Sequence, residues 1–518
     1  MSKYQIKDVK DMTLDEKIGQ LIMCGVLSTK LSDEEIAFIK ENKIGNFILF
    51  SRNYSDTEQM KKLNKSLYDL SYEVSGSFPL ISIDQEGGMV TRLFKDVTFP
   101  ASPMTTSATA FKKAPYLTGK IIGSDMIKLG INLDLAPCLE INENLESYLV
   151  SVRSYGGNKQ IISQNVKAFI NGLHDGGVLS CMKHFPGAGA SKKDSHLDLP
   201  LIDVPMEELK NNELYPFLNN FESDSLMSSH CMFTSFDKYP TTLSHRLLTD
   251  FMRNEKHYEG LIISDGMEMK AILDFYGIKE GTILALLAGC DILLVCHELA
   301  LQKESFEAIR EAIENGRLPI ELIDEKVTRI NQAKKKLLKS LNKKTDFDKP
   351  YKVVKKEHKK MAKIVDQSYT NVLGNVPMID EKTLIISPKV KVASIVEDEF
   401  DSRNLTKILR DNFGHNTIYE FSDNQEFKEM IMKRVMEFDH ILIFSYDAAK
   451  DQVQLDIINE ILKLNKDTCV VSLKGPMDQK LFKGLKNYNC LYEYTPNSLQ
   501  TVVKQLKGKL KMEGKLPR

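Results

Sequence analysis

Lys183, His184, Asp194 and His196 fall within fourteen residues, on either side of the turn Pro186-Gly187-Ala188-Gly189. Asp194 and His196 are an i, i+2 pair, so in extended chain their side chains point the same way. The carboxylate would orient the imidazole and favour its protonated form, raising its pKa toward the working pH. Such an imidazole can protonate a leaving group and then take a proton from water. Asp265 follows the apolar run Leu261-Ile262-Ile263-Ser264. A carboxylate held at the end of a buried strand can be kept rigidly against a substrate carbon, as a nucleophile requires. Asp84 follows Leu80-Ile81-Ser82-Ile83 in the same way, and Lys183-His184 follow Val178–Met182. His230 falls within the run Leu226–Met232, where packing and substrate contact are equally open readings.

These residues recur where apolar runs stop, so the runs decide whether they can meet. Eight runs, Gln20–Val26, Gly45–Phe50, Leu80–Asp84, Ile131–Leu139, Val178–Met182, Leu226–Met232, Leu261–Ser264 and Ile292–Cys296, alternate with amphipathic stretches. Ser32-Asp33-Glu34-Glu35 reads as a capping box opening a helix whose apolar face begins at Ile36 and Ile39. Strands alternating with helices form either a doubly wound sheet or a (β/α)8 TIM-like barrel, and the count of eight favours the barrel. Either architecture gathers its chemistry at the carboxyl ends of the strands. The expected organisation is a catalytic barrel over 1–335, a Lys-rich linker over 336–351 that begins as the solvated tail of a helix, and a smaller α/β sandwich domain over 352–518. Strands of that second domain are expected at 383–388, 440–445 and 468–473.

Bulk properties exclude several classes. Of 518 residues, 42% are hydrophobic and 27% charged, and the net charge is −1, so no overall field favours nucleic acid or an acidic membrane. No apolar run approaches the ~20 residues that cross a bilayer. The charged stretch Met1–Lys10 predicts no signal peptide. Eight scattered cysteines without a CxxC pair predict reduced thiols, a cytoplasmic location and no structural zinc.

Several segments together resemble a known family. Phe47–Asn53 (FILFSRN), Ile83–Leu93 (IDQEGGMVTRL), Leu135–Pro137 with Arg153-Ser154-Tyr155-Gly156, Lys183–His196 and Ile263–Ala271 are similar, in the same order, to glycoside hydrolase family 3. The likeness is strongest to its bacterial β-N-acetylglucosaminidase (β-N-acetylhexosaminidase) branch, which serves peptidoglycan recycling. Family β-glucosidases usually carry Trp after the nucleophile; this chain has no Trp, and Gly266 follows Asp265. The resemblance implies that Asp265 is the nucleophile and that His196, paired with Asp194, is the acid/base. It implies that Asp84, Arg92, Arg153, Lys183 and His184 grip the sugar. Three departures bear on the loops: Ala188 where the family usually has His, Ala190-Ser191 where it often has Asp-Thr, and Val152 where it has Asp.

The implied reaction is two-step retaining hydrolysis through a covalent glycosyl–Asp265 intermediate. It needs no metal or organic cofactor and takes a small carbohydrate, a cell-wall-derived fragment with terminal β-linked N-acetylglucosamine. Two rivals stand beside it. One is a phosphorylase, because a histidine acid/base does not repel incoming phosphate. The other is a catalytically impaired sugar-binding protein. The sequence does not fix the oligomeric state.

Overall fold

The barrel strands are almost wholly buried and rich in apolar residues, which is why they read as runs rather than as alternations. The computed structural model describes residues 4–145, 147, 148, 150–189, 199–390, 404–422, 425–464 and 466–518. Eight strands, β1 (Ile22–Gly25), β2 (Asn46–Leu49), β3 (Leu80–Ile83), β4 (Leu133–Asp134), β5 (Leu179–Phe185), β6 (Ser225–Ser228), β7 (Leu261–Gly266) and β8 (Ile292–Val295), close into a barrel. Each pairs in parallel with its sequence neighbours, and β8 pairs with β1. The expected barrel is therefore present, and each of the eight runs carries one strand.

Helices return the chain between strands. The first, Asp33–Asn42, starts at the expected box: Ser32 Oγ accepts from Glu35 N at 3.2 Å and Glu35 Oε2 accepts from Ser32 N at 2.8 Å. Glu35 Oε1 also accepts from Leu27 N at 3.0 Å, tying the helix to the end of β1. The helix Ile320–Lys344 runs through residues 336–344 before the chain leaves the barrel.

Two strand ends differ from the sequence reading. β5 continues through Lys183 and His184 to Phe185, and β7 includes Asp265 and Gly266. Backbone pairing, not hydropathy, sets these limits, since Phe185 aligns with Ser228 and Gly266 with Leu294. Lys183, His184 and Asp265, three of the candidate site residues, thus sit on the last rungs of the barrel itself. β6, by contrast, stops at Ser228, two residues short of His230.

The second domain holds a six-stranded sheet of β9 (Thr370–Leu373), β10 (Thr383–Ser387), β11 (Thr417–Glu420), β12 (His440–Ser445), β13 (Asp467–Ser472) and β14 (Asn487–Cys490). Their order is β9-β14-β13-β12-β10-β11, and only β9 runs antiparallel to its neighbour. This domain packs on the barrel's 140–157 loop. Tyr148 Oη donates to Asp478 Oδ1 at 3.1 Å, and Gly157 N donates to Pro517 O at 3.0 Å. Val152 is buried in the second domain's apolar cluster. An apolar side chain suits that seat, which accounts physically for the absence of Asp there. Among the described residues, no helix is long and apolar enough to cross a membrane.

Candidate active site

A cavity of about 580 Å³ opens at the carboxyl ends of the barrel strands. Asp84, Arg92, Arg153, Lys183, His184 and Asp265 all line it. Register explains the meeting: Ile83 pairs with Asp134 and Asp134 with Ser180, so Asp84 and the overrunning end of β5 share one rim. Every described residue lining the cavity belongs to the barrel.

One side of the cavity is a lattice of charge pairs. Lys183 Nζ donates to Asp84 Oδ1 at 2.6 Å and lies 2.7 Å from Glu86 Oε1. Arg153 grips Glu86 with two prongs, Nε to Oε2 at 2.9 Å and Nη2 to Oε1 at 2.7 Å. Arg92 reaches within 3.6 Å of Asp84 Oδ2. A hairpin of Gln85–Gly87 and Val90–Thr91 sets it there, and Gln85 Oε1 accepts from the backbone amides of Arg92 and Leu93 at 2.9 and 3.1 Å. The turn needs glycine at Gly87 and Gly88, whose φ values are +100° and +61° and whose missing side chains make room for Ala101 and Ser102.

Glu86 is 1% exposed. Burial alone would push its carboxyl up, but the charges of Arg153 and then Lys183 overcome that and hold it well below the ordinary carboxylate range. Burial likewise works against the Lys183 ammonium, and Asp84 and Glu86 outweigh it to hold the pKa above the usual lysine value. His184 is fixed by Glu140, whose Oε1 lies 2.6 Å from Nδ1 and also accepts from the His184 backbone amide at 2.9 Å. Burial pushes Glu140 up, and the charge of His184 brings its carboxyl down below the usual value.

The opposite side is held mainly through backbone. Gly266 N donates to Asp265 Oδ1 at 2.8 Å. His230 is fully buried behind this point, with Nδ1 2.8 Å from Thr242 Oγ1 and Nε2 2.8 Å from Gly266 O. Its ring does not line the cavity. Glu268 Oε1 accepts from the backbone amides of Cys296 and His297, binding the end of β8 to the segment after Asp265. Burial raises its pKa, against the opposing pull of those amides. Arg52, from the FILFSRN segment, donates to Val26 O at 3.0 Å and Cys296 O at 2.6 Å, and stacks 4.4 Å from the Phe50 ring centroid.

Sequence reasoning did not single out Glu86, Glu140, Glu268 and Arg52 for roles of their own. Asp194 and His196, with Ala190 and Ser191, lie outside the described residues. Ala188 is half-buried against the barrel core.

The model for the glycosyl hydrolase family 3 N-terminal domain matches residues 13–333. A beta-hexosaminidase A from Pseudoalteromonas piscicida is 30% identical over 345 residues, covering 61% of this chain and 57% of the relative, so the match spans little more than half of that protein. A beta-hexosaminidase from Actinobacillus pleuropneumoniae is 31% identical over 291 residues, 54% of this chain and 81% of the relative. Among solved structures, a glycoside hydrolase family 3 beta-N-acetylglucosaminidase from Paenibacillus sp. str. FPU-7 superposes with a TM-score of 0.89 at 31% identity, over 98% of both chains.

Proposed function

Since the chain belongs to glycosyl hydrolase family 3, we propose that it is a retaining β-N-acetylhexosaminidase that removes terminal β-linked N-acetylglucosamine. The observation that carries this reading is the single cavity lined by Asp265 on one wall and by Asp84, Arg92, Arg153, Lys183 and His184 on the other. Charged donors and acceptors there suit sugar hydroxyls, which both give and take hydrogen bonds. Arg153 and Lys183 are held in place by Glu86, and His184 by Glu140, so their geometry is set before substrate arrives.

In the first step the Asp265 carboxylate attacks the anomeric carbon while protonated His196 donates to the glycosidic oxygen. A covalent glycosyl–Asp265 ester forms and the aglycone leaves with the proton. Neutral His196 then takes a proton from water, which attacks the same carbon and releases the sugar with its configuration retained. Asp194 would keep His196 basic enough for both transfers. We assign His230 to positioning: it holds the carbonyl of Gly266, the residue whose own amide donates to Asp265 Oδ1 from the preceding peptide. For substrate we propose a cell-wall-derived fragment handled in the cytoplasm during peptidoglycan recycling; the eight free cysteines suit a reducing compartment.

The test is hydrolysis of a chromogenic β-N-acetylglucosaminide, with and without phosphate, by the wild-type chain and by Asp265→Asn. Release of N-acetylglucosamine by the wild type alone is expected. Sugar 1-phosphate as the product would make the protein a phosphorylase. Tight binding of N-acetylglucosamine without turnover would make it a sensor.

A further inference from the structure

Next to the sugar-facing wall lies a donor set that joins His184 and its partner Glu140 to a cysteine, Cys138, that the proposed reaction does not use. Residues 138–140 run beside the end of β5, with Cys138 bridged to Lys183 and Leu139 N donating to Lys183 O at 2.8 Å. This brings ligand atoms of Cys138, Glu140 and His184 within 4.8 Å of one another. Cys138 and Glu140 are buried, at 1% and 4% exposure, and His184 lines the cavity.

We propose that Cys138, Glu140 and His184 bind a thiophilic divalent cation of the zinc type, and that its binding takes His184 away from the sugar. Thiolate, imidazole and carboxylate together are a zinc-type donor set. Ligands on one tetrahedral zinc stand about 3–4 Å apart, given metal–ligand bonds of roughly 2.0–2.3 Å. Small side-chain shifts therefore suffice. Glu140 supplies the strongest pointer. Its Oε1 already accepts two hydrogen bonds from His184, while its Oε2 is buried with no hydrogen-bond partner among the described residues. That second oxygen is available to a metal without disturbing the backbone bond. Cys138 Sγ lies 3.5 Å from Glu86 Oε2, a contact the thiol would give up on binding the ion.

Binding releases the proton of the Cys138 thiol, since the metal takes the thiolate. His184 Nδ1 also gives up its proton as it becomes the ligand, to Nε2 if the ring is neutral and to solvent if it is an imidazolium. The His184 ring is then oriented by the ion rather than by Glu140. Three protein ligands leave a fourth position for water. The ion acts here as an inhibitor and has no part in the hydrolytic steps. The inhibitory half of the proposal rests on the hydrolase reading above; the binding half does not.

The experiment begins with the full chain stripped by chelator and titrated with Co²⁺. One equivalent should produce a near-ultraviolet sulfur-to-cobalt charge-transfer band that Zn²⁺ abolishes. Cys138→Ser should lack the band. Cobalt bound without the band, or a band that survives Cys138→Ser, overturns the site. Should that variant fail to fold, zinc-edge X-ray absorption of the wild type decides: one sulfur neighbour supports the site, and nitrogen and oxygen neighbours alone overturn it. If the wild type hydrolyses the chromogenic glucosaminide, Zn²⁺ should raise KM, with at least tenfold weaker sensitivity in Cys138→Ser. Equal sensitivity overturns the inhibitory role. Absence of any hydrolysis would count against the proposed function and leave the spectroscopic result standing.

Discussion

Lys183 and Lys334 are both buried in the barrel, at 2% and 0% exposure, but at opposite ends. Lys183 stands at the mouth between Asp84 and Glu86, whose charges overcome the effect of burial and keep it an ammonium. Lys334 lies at the floor, where Nζ reaches the neutral Gln20 Oε1 at 2.7 Å, and burial drives its pKa down to about 7. One side chain thus serves as a fixed charge in one place and as a donor that titrates near neutral pH in the other. Partners decide which, and partners cost something to maintain. A buried ion pair seldom stabilises a fold more than apolar packing would. The concentration of such pairs at the mouth, with Arg153–Glu86 beside Lys183–Asp84, therefore points to function rather than to stability.

The comparison can be broken most severely at Asp265, the carboxylate the mouth is built around. Asp265→Asn should lower kcat on the order of 10⁴-fold or more, with binding of N-acetylglucosamine kept; steady-state kinetics and calorimetry check both halves. Next comes Glu86→Gln, which leaves Lys183 and Arg153 buried without their shared carboxylate. A loss of about 3–5 kcal/mol in denaturant unfolding is expected. The pH dependence has a defined sign. Because the folded pKa of Glu86 is depressed, its contribution is complete above the ordinary glutamate pKa of about 4.3, falls away progressively below it, and is gone once pH has dropped past the lower folded value. The stability gap between wild type and variant should therefore begin to narrow below about pH 4.3 and go on narrowing into strong acid.

A milder break is Glu140→Gln, which frees His184 to turn and should raise KM about tenfold with a smaller change in kcat. On the backbone-held side, Thr242→Val removes one partner of His230. It should lower kcat several-fold and leave KM near wild type, because His230 acts on Asp265 through Gly266 rather than on sugar. The smallest effect belongs to the floor. Lys334→Met should change stability at pH 7 by no more than about 1 kcal/mol. Between pH 7 and about 10 the unfolded chain binds a proton there that the folded chain does not. Wild-type stability should therefore rise with pH relative to the variant, by up to about 1.4 kcal/mol per unit.

Much of this architecture is legible in the amino-acid order, for identifiable reasons. Barrel strands buried on both faces are rich in apolar residues, so each of the eight falls in or overlaps an apolar run. Asp84, Lys183 and Asp265 stand out because a charge at the end of such a run has few structural excuses. Glu86 and Glu140 do not stand out. Their roles come from Arg153, 67 residues away in sequence, and His184, 44 away, and no local pattern records those meetings. Two strands of the second sheet are hidden for a related reason: β11, at the edge, is half-buried throughout, and β14 carries two asparagines, so neither reads as an apolar run.

The central claim is that Asp265 becomes covalently glycosylated at the mouth of the barrel. It is tested most directly by incubating the protein with a fluorinated β-N-acetylglucosaminide that reacts readily but turns over slowly, followed by proteolysis and mass spectrometry. The account predicts one sugar per chain, on the carboxylate of Asp265. A label on any other residue, or rapid release of product with inverted anomeric configuration and no label, would contradict it.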